Sequence, residues 1–282
     1  WRDFYLKDAG HRRVRDYLTL MPSTPVSMLM REYGFHGPAM NVSAMCSSGN
    51  AGLITAKMWL DSGFVDDVVF VSTDLSLTPE NVEHFVQLGV AVVDTEPLDA
   101  CRPFQEGSRG FPTGEAAISF VLSRCASERP YARVLGGDMT HDAYHLTSVD
   151  PARTQIDHCV RNALRAANAT PDQIAYLNAH GPGTQQCDAV EAGLVDEVLD
   201  GRPGIYSIKP LVGHCQGAAA AVELAAAAMS YVHGIVPAAP TVAPGHWRLL
   251  DGPTLMEPGA LTLKTSLGMG GHNSAVVLAP AA

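Results

Sequence analysis

Positive charge is scarce in this chain. Lysine and arginine total 19 against 29 aspartates and glutamates, a formal net charge of −10 at pH 7, and only four residues (Lys7, Lys57, Lys209 and Lys264) are lysines. An excess of acid this large argues against non-specific binding to nucleic acid or to an anionic membrane surface. Long apolar runs are missing too. The longest, Gly217 to Met229, is mostly alanine and is broken by Glu223, so it is too short and too polar to span a bilayer, and no membrane partner is expected. None of the six cysteines (46, 101, 125, 159, 187 and 215) forms a CxxC pair, which argues against a disulfide framework and a structural zinc site. Reduced thiols in a cytoplasm are the expectation. The histidines show no HExxH pattern, and no metal site is expected. No repeat or low-complexity tract appears.

Apolar residues make up 46% of 282 positions, enough for a sizeable buried core. Short β-rich runs alternate with helical patterns. Residues 40–45, 67–73, 116–122, 132–136, 174–178, 205–208, 261–266 and 274–278 read as strands, with 67–73 (DVVFVST) of the continuous apolar, buried type. Residues 47–60, 80–88, 155–167, 188–199 and 217–232 read as helices, and the alanine-covered last one is expected at the centre. This alternation predicts an α/β layered fold.

Cys46 follows the 40–45 run and precedes a helix opened by Ser47-Ser48-Gly49. There the positive end of the helix dipole favours a thiolate, the logic of a nucleophile elbow. An inert buried thiol is the competing reading. His180, in Asn178-Ala179-His180-Gly181-Pro182-Gly183-Thr184, and His214, in Lys209-Pro210-Leu211-Val212-Gly213-His214, both stand in glycine-containing loops after short strands, where α/β folds collect catalytic groups. Residues 264–273 (KTSLGMGGHN) could bring main-chain N–H groups close to a ligand, as an oxyanion hole requires, or could be a simple turn. Glu115 precedes a strand and could pair with a buried lysine.

In this order, the five segments around Cys46, residues 102–117, His180–Thr184, Lys209–His214 and Gly268–Asn273 resemble the elongating β-ketoacyl-acyl carrier protein synthases of the thiolase superfamily. The chain departs from the family pattern at Pro182, which stands for a Thr, at Met269 for the gate Phe, and at His272 for a Thr. No second cysteine follows in the last glycine loop, unlike the degradative thiolases. Two histidines, rather than His and Asn, match the elongating type.

The resemblance implies a five-layered αβαβα fold built of two halves. They are expected at 1–150, the remainder of an N-terminal half carrying the nucleophile, and at 151–282, carrying both histidine loops and the glycine-rich loop. The first strands of the N-terminal half are missing, so a longer chain is expected. The implied activity is decarboxylative Claisen condensation of an acyl thioester with malonyl-acyl carrier protein, in fatty acid or polyketide-type synthesis. Cys46, His180 and His214 would be catalytic, with Lys209 and Glu115 a supporting buried pair. The backbone N–H groups of Cys46 and Met269 would form the oxyanion hole. Thr184, Met269 and Gly270 would contact substrate, and Arg12 and Arg13 would dock the carrier protein. No cofactor is implied, since the phosphopantetheine arrives on the carrier. A homodimer or a heterodimer with a chain-length-factor-type subunit is expected. The alternatives are a non-condensing partner subunit, or an acyltransferase or hydrolase on the same scaffold.

Overall fold

Strand β9 (His272–Pro280) shows why the interior is layered. Ala275 and Val277 enter one apolar cluster, and Val276 and Leu278 enter another, so the strand is buried on both faces. The computed structural model describes residues 21–125 and 129–281. Contacts divide the chain into residues 1–42 and residues 43–282. In the first unit the described helix is α1 (Thr24–Tyr33), which carries Pro25 in its first turn and ends at Gly34 in the left-handed region.

The second unit contains α2 (Ser48–Asp61), β1 (Asp67–Asp74), α3 (Pro79–Gln87), β2 (Ala116–Ser123) and β3 (Ala132–His141). It continues through α4 (Thr154–Ala166), β4 (Ile174–Asn178), α5 (Gln185–Glu197), β5 (Gly204–Tyr206) and α6 (Ala219–His233). Strands β6 (Ile235–Val236), β7 (Thr254–Leu255) and β8 (Leu261–Gly268) lead to β9. Single helical turns at Pro97–Ala100 and Lys209–Val212 interrupt the loops.

A five-stranded sheet runs in the order β3-β9-β8-β4-β5, parallel between β8, β4 and β5 and antiparallel elsewhere. Helices α4 and α5 cover one face through Val160, Leu164, Leu194 and Val195, and α2 and α6 cover the other through Leu53, Ile54, Leu224 and Ala227. Beyond α2 and α6 lies the antiparallel pair β1–β2, contributing Phe120 and Leu122. The described residues therefore build four layers. Helices α2 and α6 can approach because one offers glycine and the other alanine: a Cβ on Gly49 would stand 2.4 Å from the Ala221 nitrogen.

Three expectations change. Residues 40–44 form no ladder, because no described strand runs beside them. The 67–73 run is a strand but not a buried one: Val69 is 50% and Val71 41% exposed, because one face of the pair carries no described layer. The division at 150/151 leaves β3 on the N-terminal side, yet the ladder of β3 is with β9 in the C-terminal sheet. Helix α6 is central, as its alanine surface suggests.

Candidate active site

A cavity of about 470 Å3 is lined by Cys46, His180, His214, Phe111, Thr184 and Met269, among others. It brings together three residues separated by up to 168 positions in the chain, because β8, the loop after β4 and the loop before α6 all end at the same place as the turn that opens α2.

Cys46 lies in a tight turn, Met45–Ser47, directly before α2, and Met45 holds φ +52, a left-handed conformation that costs a non-glycine residue. Neighbouring hydroxyls fix the turn. Ser47 donates to the carbonyls of Ser266 (2.9 Å) and His272 (2.8 Å), and Ser266 donates to the Cys46 carbonyl (2.9 Å). The main-chain N–H groups of Met269 and of Cys46 itself are directed at the thiol. The expectation of a thiolate favoured by the helix terminus is overturned: burial pushes the Cys46 thiol up to about 11, more than the Lys209 charge and the two N–H groups pull it down. At neutral pH this sulfur is protonated.

The His180 loop is held from α5. Glu191 accepts the N–H groups of His180 and Gly181, each at 2.8 Å, and a hydrogen bond from Thr265 Oγ1 at 2.5 Å. Asp188 accepts from the N–H groups of Phe104 (2.9 Å) and Gly183 (3.2 Å), and burial pushes its carboxyl up to about 7. Lys209 Nζ lies 3.5 Å from His180 Nδ1 and donates to the His180 carbonyl. In the other loop, the Gln216 N–H donates to His214 Nδ1 at 3.1 Å, and Phe111 packs edge-on against the ring with centroids 4.6 Å apart. Both Nδ1 atoms face donors, which leaves the ring hydrogen on Nε2 in the neutral form. Burial first, then Lys209, hold both imidazoles well below the usual histidine range. The two rings meet edge to face, centroids 5.4 Å apart.

The structure corrects the supporting pair. Lys209 is fully buried and its ion-pair partner is Glu223 of α6, not Glu115. Glu115 is exposed and accepts the Leu77 N–H at 2.9 Å. A second buried lysine, Lys264, binds the other Glu223 oxygen at 2.8 Å. Sequence reading missed Glu223, Glu191, Asp188 and Lys264 as site residues. The one visible signal was Glu223, a lone acid inside an alanine helix. Of the expected substrate contacts, Thr184 and Met269 line the cavity and Gly270 does not. Arg12 and Arg13 lie outside the described residues.

Two family models match in succession: "Beta-ketoacyl synthase, N-terminal domain" over residues 3–127 and "Beta-ketoacyl synthase, C-terminal domain" over 131–242. The ketoacyl synthase alpha subunit of the tetracenomycin polyketide synthase from Streptomyces glaucescens is 33% identical over 215 residues, 73% of this chain and 50% of that protein. The chloroplastic 3-oxoacyl-[acyl-carrier-protein] synthase I of Hordeum vulgare is 28% identical over 291 aligned positions, 98% of this chain and 63% of that protein. The chain thus spans about half to two-thirds of the length of these relatives. Among solved structures, the type II polyketide ketosynthase AntDE, in complex with its acyl-carrier protein AntF and bound to the hexaketide, superposes with a TM-score of 0.87 at 25% identity, covering 96% of this chain and 70% of that one. The ishigamide ketosynthase/chain length factor gives a TM-score of 0.81 at 25% identity, covering 91% of this chain and 64% of that one. Two adjoining domain matches, and a thiolase-like fold shared with solved ketosynthases, make this chain a member of the β-ketoacyl synthase family.

Proposed function

We propose that the chain catalyses decarboxylative Claisen condensation between an acyl thioester and malonyl-acyl carrier protein, in fatty acid or polyketide-type synthesis. The observation that carries the reading is the meeting of the Cys46 thiol, at the mouth of α2, with two neutral imidazoles in a single cavity.

In the first half-reaction the Cys46 sulfur attacks the acyl carbonyl, the carrier's thioester bond breaks, and the thiol proton leaves with the pantetheine sulfur. A malonyl thioester then enters. Its C–CO₂ bond breaks, and the electron pair moves into an enolate whose oxygen accepts hydrogen bonds from Nε2–H of His180 and His214. Neutral donors suit this task, because they stabilise developing charge without competing for a proton. The enolate carbon attacks the acyl-Cys46 carbonyl. The N–H groups directed at the sulfur, those of Cys46 and Met269, would hold the resulting oxyanion, and collapse expels the Cys46 thiolate, which is then reprotonated. Thr184 and Met269 would face the pantetheine and acyl chain. The chemistry calls for no metal or redox cofactor of the protein's own.

The partner in this reading is an acyl carrier protein, docked through the basic segment containing Arg12 and Arg13. A second ketosynthase-like subunit, identical or of the chain-length-factor type, completes the assembly. Among the described residues, no helix is long and apolar enough to cross a membrane. Six free cysteines suit a reducing cytoplasm. The decisive experiment is intact-mass spectrometry after incubation with acyl-carrier thioester. An acyl adduct on Cys46 that discharges to ketoacyl product only when malonyl thioester is added supports condensation. Release as free acid would point instead to a hydrolase, and no adduct at all to a partner subunit.

A further inference from the structure

Half of the lysines in this lysine-poor chain are fully buried beside the two histidines. Lys209 has a place in the scheme above, and Lys264 has none. Lys264 stands on β8, five residues before Met269. Its Nζ lies 2.8 Å from Glu223 Oε2 and donates to the Thr265 carbonyl, while its own carbonyl accepts from Asn50 Nδ2 of α2 at 3.3 Å. Glu223 Oε1 is taken by Lys209. The second buried carboxylate, Glu191, receives the His180 and Gly181 N–H groups and the Thr265 hydroxyl.

Two lysines and two glutamates sum to zero. Without Lys264 the same cluster holds one lysine and two glutamates, a net charge of −1 sealed from water. A buried unbalanced charge is relieved by taking up a proton, and the neighbouring imidazoles can accept one. Protonated rings would lose the tautomer in which Nε2–H is the donor of a neutral ring.

We propose that Lys264 is a positioning residue that completes this charge balance: by sharing Glu223 with Lys209 it supplies the second positive charge beside the two buried carboxylates, so that His180 and His214 remain neutral donors. The catalytic consequence rests on the condensing reading, and the charge balance does not. Of the other charged or titratable groups around the rings, Arg109, Asp142 and Cys187 line the same cavity. From α5, Asp188 holds the Gly183 N–H, and Glu191 holds the two N–H groups of the His180 turn. From the start of α6, Cys215 and the Gln216 N–H adjoin His214, and Asp74 of β1 accepts the Gly217 N–H at 3.0 Å. Cys46 is protonated at neutral pH. Lys264 adds to burial and Lys209 in holding both imidazoles down.

The test is a pH titration of histidine ring signals by NMR in the unaltered protein, Lys264→Met and Lys264→Arg, with His180→Asn and His214→Asn to assign the signals. No substrate is present, so failure to acylate Cys46 in the mass-spectrometric assay, which would sink the condensing reading, leaves this result intact. In Lys264→Met the midpoint of at least one of the two rings should rise by about one pH unit or more, and Lys264→Arg should return it. Unmoved midpoints in Lys264→Met would overturn the proposal. If that variant does not fold, Lys264→Gln carries the same criterion. Loss of the fold in both uncharged variants, with Lys264→Arg folded but its rings titrating at altered midpoints, would also overturn it, in favour of a purely structural role.

Discussion

The loop that carries His180 is held by carboxylates, whereas the loop that carries His214 is held by main chain. Glu191 and Asp188 together take three N–H groups of residues 180–183. In the other loop the His214 N–H donates to the Pro112 carbonyl at 2.8 Å, its carbonyl accepts the Gly114 N–H at 2.9 Å, and its ring accepts the Gln216 N–H. Both arrangements leave a neutral ring with hydrogen on Nε2. A loop held by side chains depends on the chemical identity of a few residues. A loop held by backbone depends on chain geometry and tolerates side-chain changes that leave that geometry alone.

The comparison breaks most sharply at Glu191. Glu191→Ala removes the acceptor of two buried N–H groups and one hydroxyl and unbalances the lysines, so unfolding stability should fall by about 3–5 kcal/mol. Urea denaturation measures this, and a loss under about 1 kcal/mol would show that the His180 loop is held by something else. Next comes Gly213→Ala. Gly213 has φ +75, and an added Cβ would lie 3.0 Å from both the Gly114 nitrogen and the Thr113 oxygen. The strain should cost about 1–3 kcal/mol. Malonyl decarboxylation should drop while acylation of Cys46 persists, and equal loss of both steps would contradict separate duties for loop and nucleophile.

A third expectation concerns pH. Because both imidazoles are held well below 6.5, they stay neutral as pH falls through that value, and decarboxylation should show no acid limb centred there. A limb near 6.5 would mean that one loop leaves its ring in ordinary solvation. The carboxyl raised to about 7 belongs to Asp188, so any step near neutrality should vanish in Asp188→Asn. The smallest effect is expected for Gln216→Ala. The variant keeps the Gln216 main-chain N–H that orients the His214 ring and loses only a long bond from Nε2 to the His214 carbonyl (3.4 Å), so stability should change by less than about 1 kcal/mol in thermal melts.

These contrasts also explain what could be read in the sequence. Cys46, His180 and His214 stand out because each sits beside small or glycine residues at the end of a short element, and residues 261–266 and 274–278 read as the strands that β8 and β9 are. The partner of Lys209 was not legible. Glu223 lies fourteen residues downstream on a helix whose orientation only the packed layers decide, while Glu115 precedes a strand in a way that hides its exposure. The thiol was misjudged for a related reason. A helix terminus is a local signal, but the burial that outweighs it comes from strands and loops far along the chain. Residues 40–45 carry strand-like alternation, and a pattern cannot supply the neighbour a ladder needs.

The protonated sulfur of Cys46 has a consequence for durability. With its thiol raised to about 11, only about one molecule in ten thousand carries the thiolate at pH 7. Peroxides and electrophiles consume thiolates, not thiols. Between encounters with substrate, the most reactive atom of the site is therefore chemically dormant, and oxidative damage should begin elsewhere, at a sulfur open to solvent such as that of Cys125.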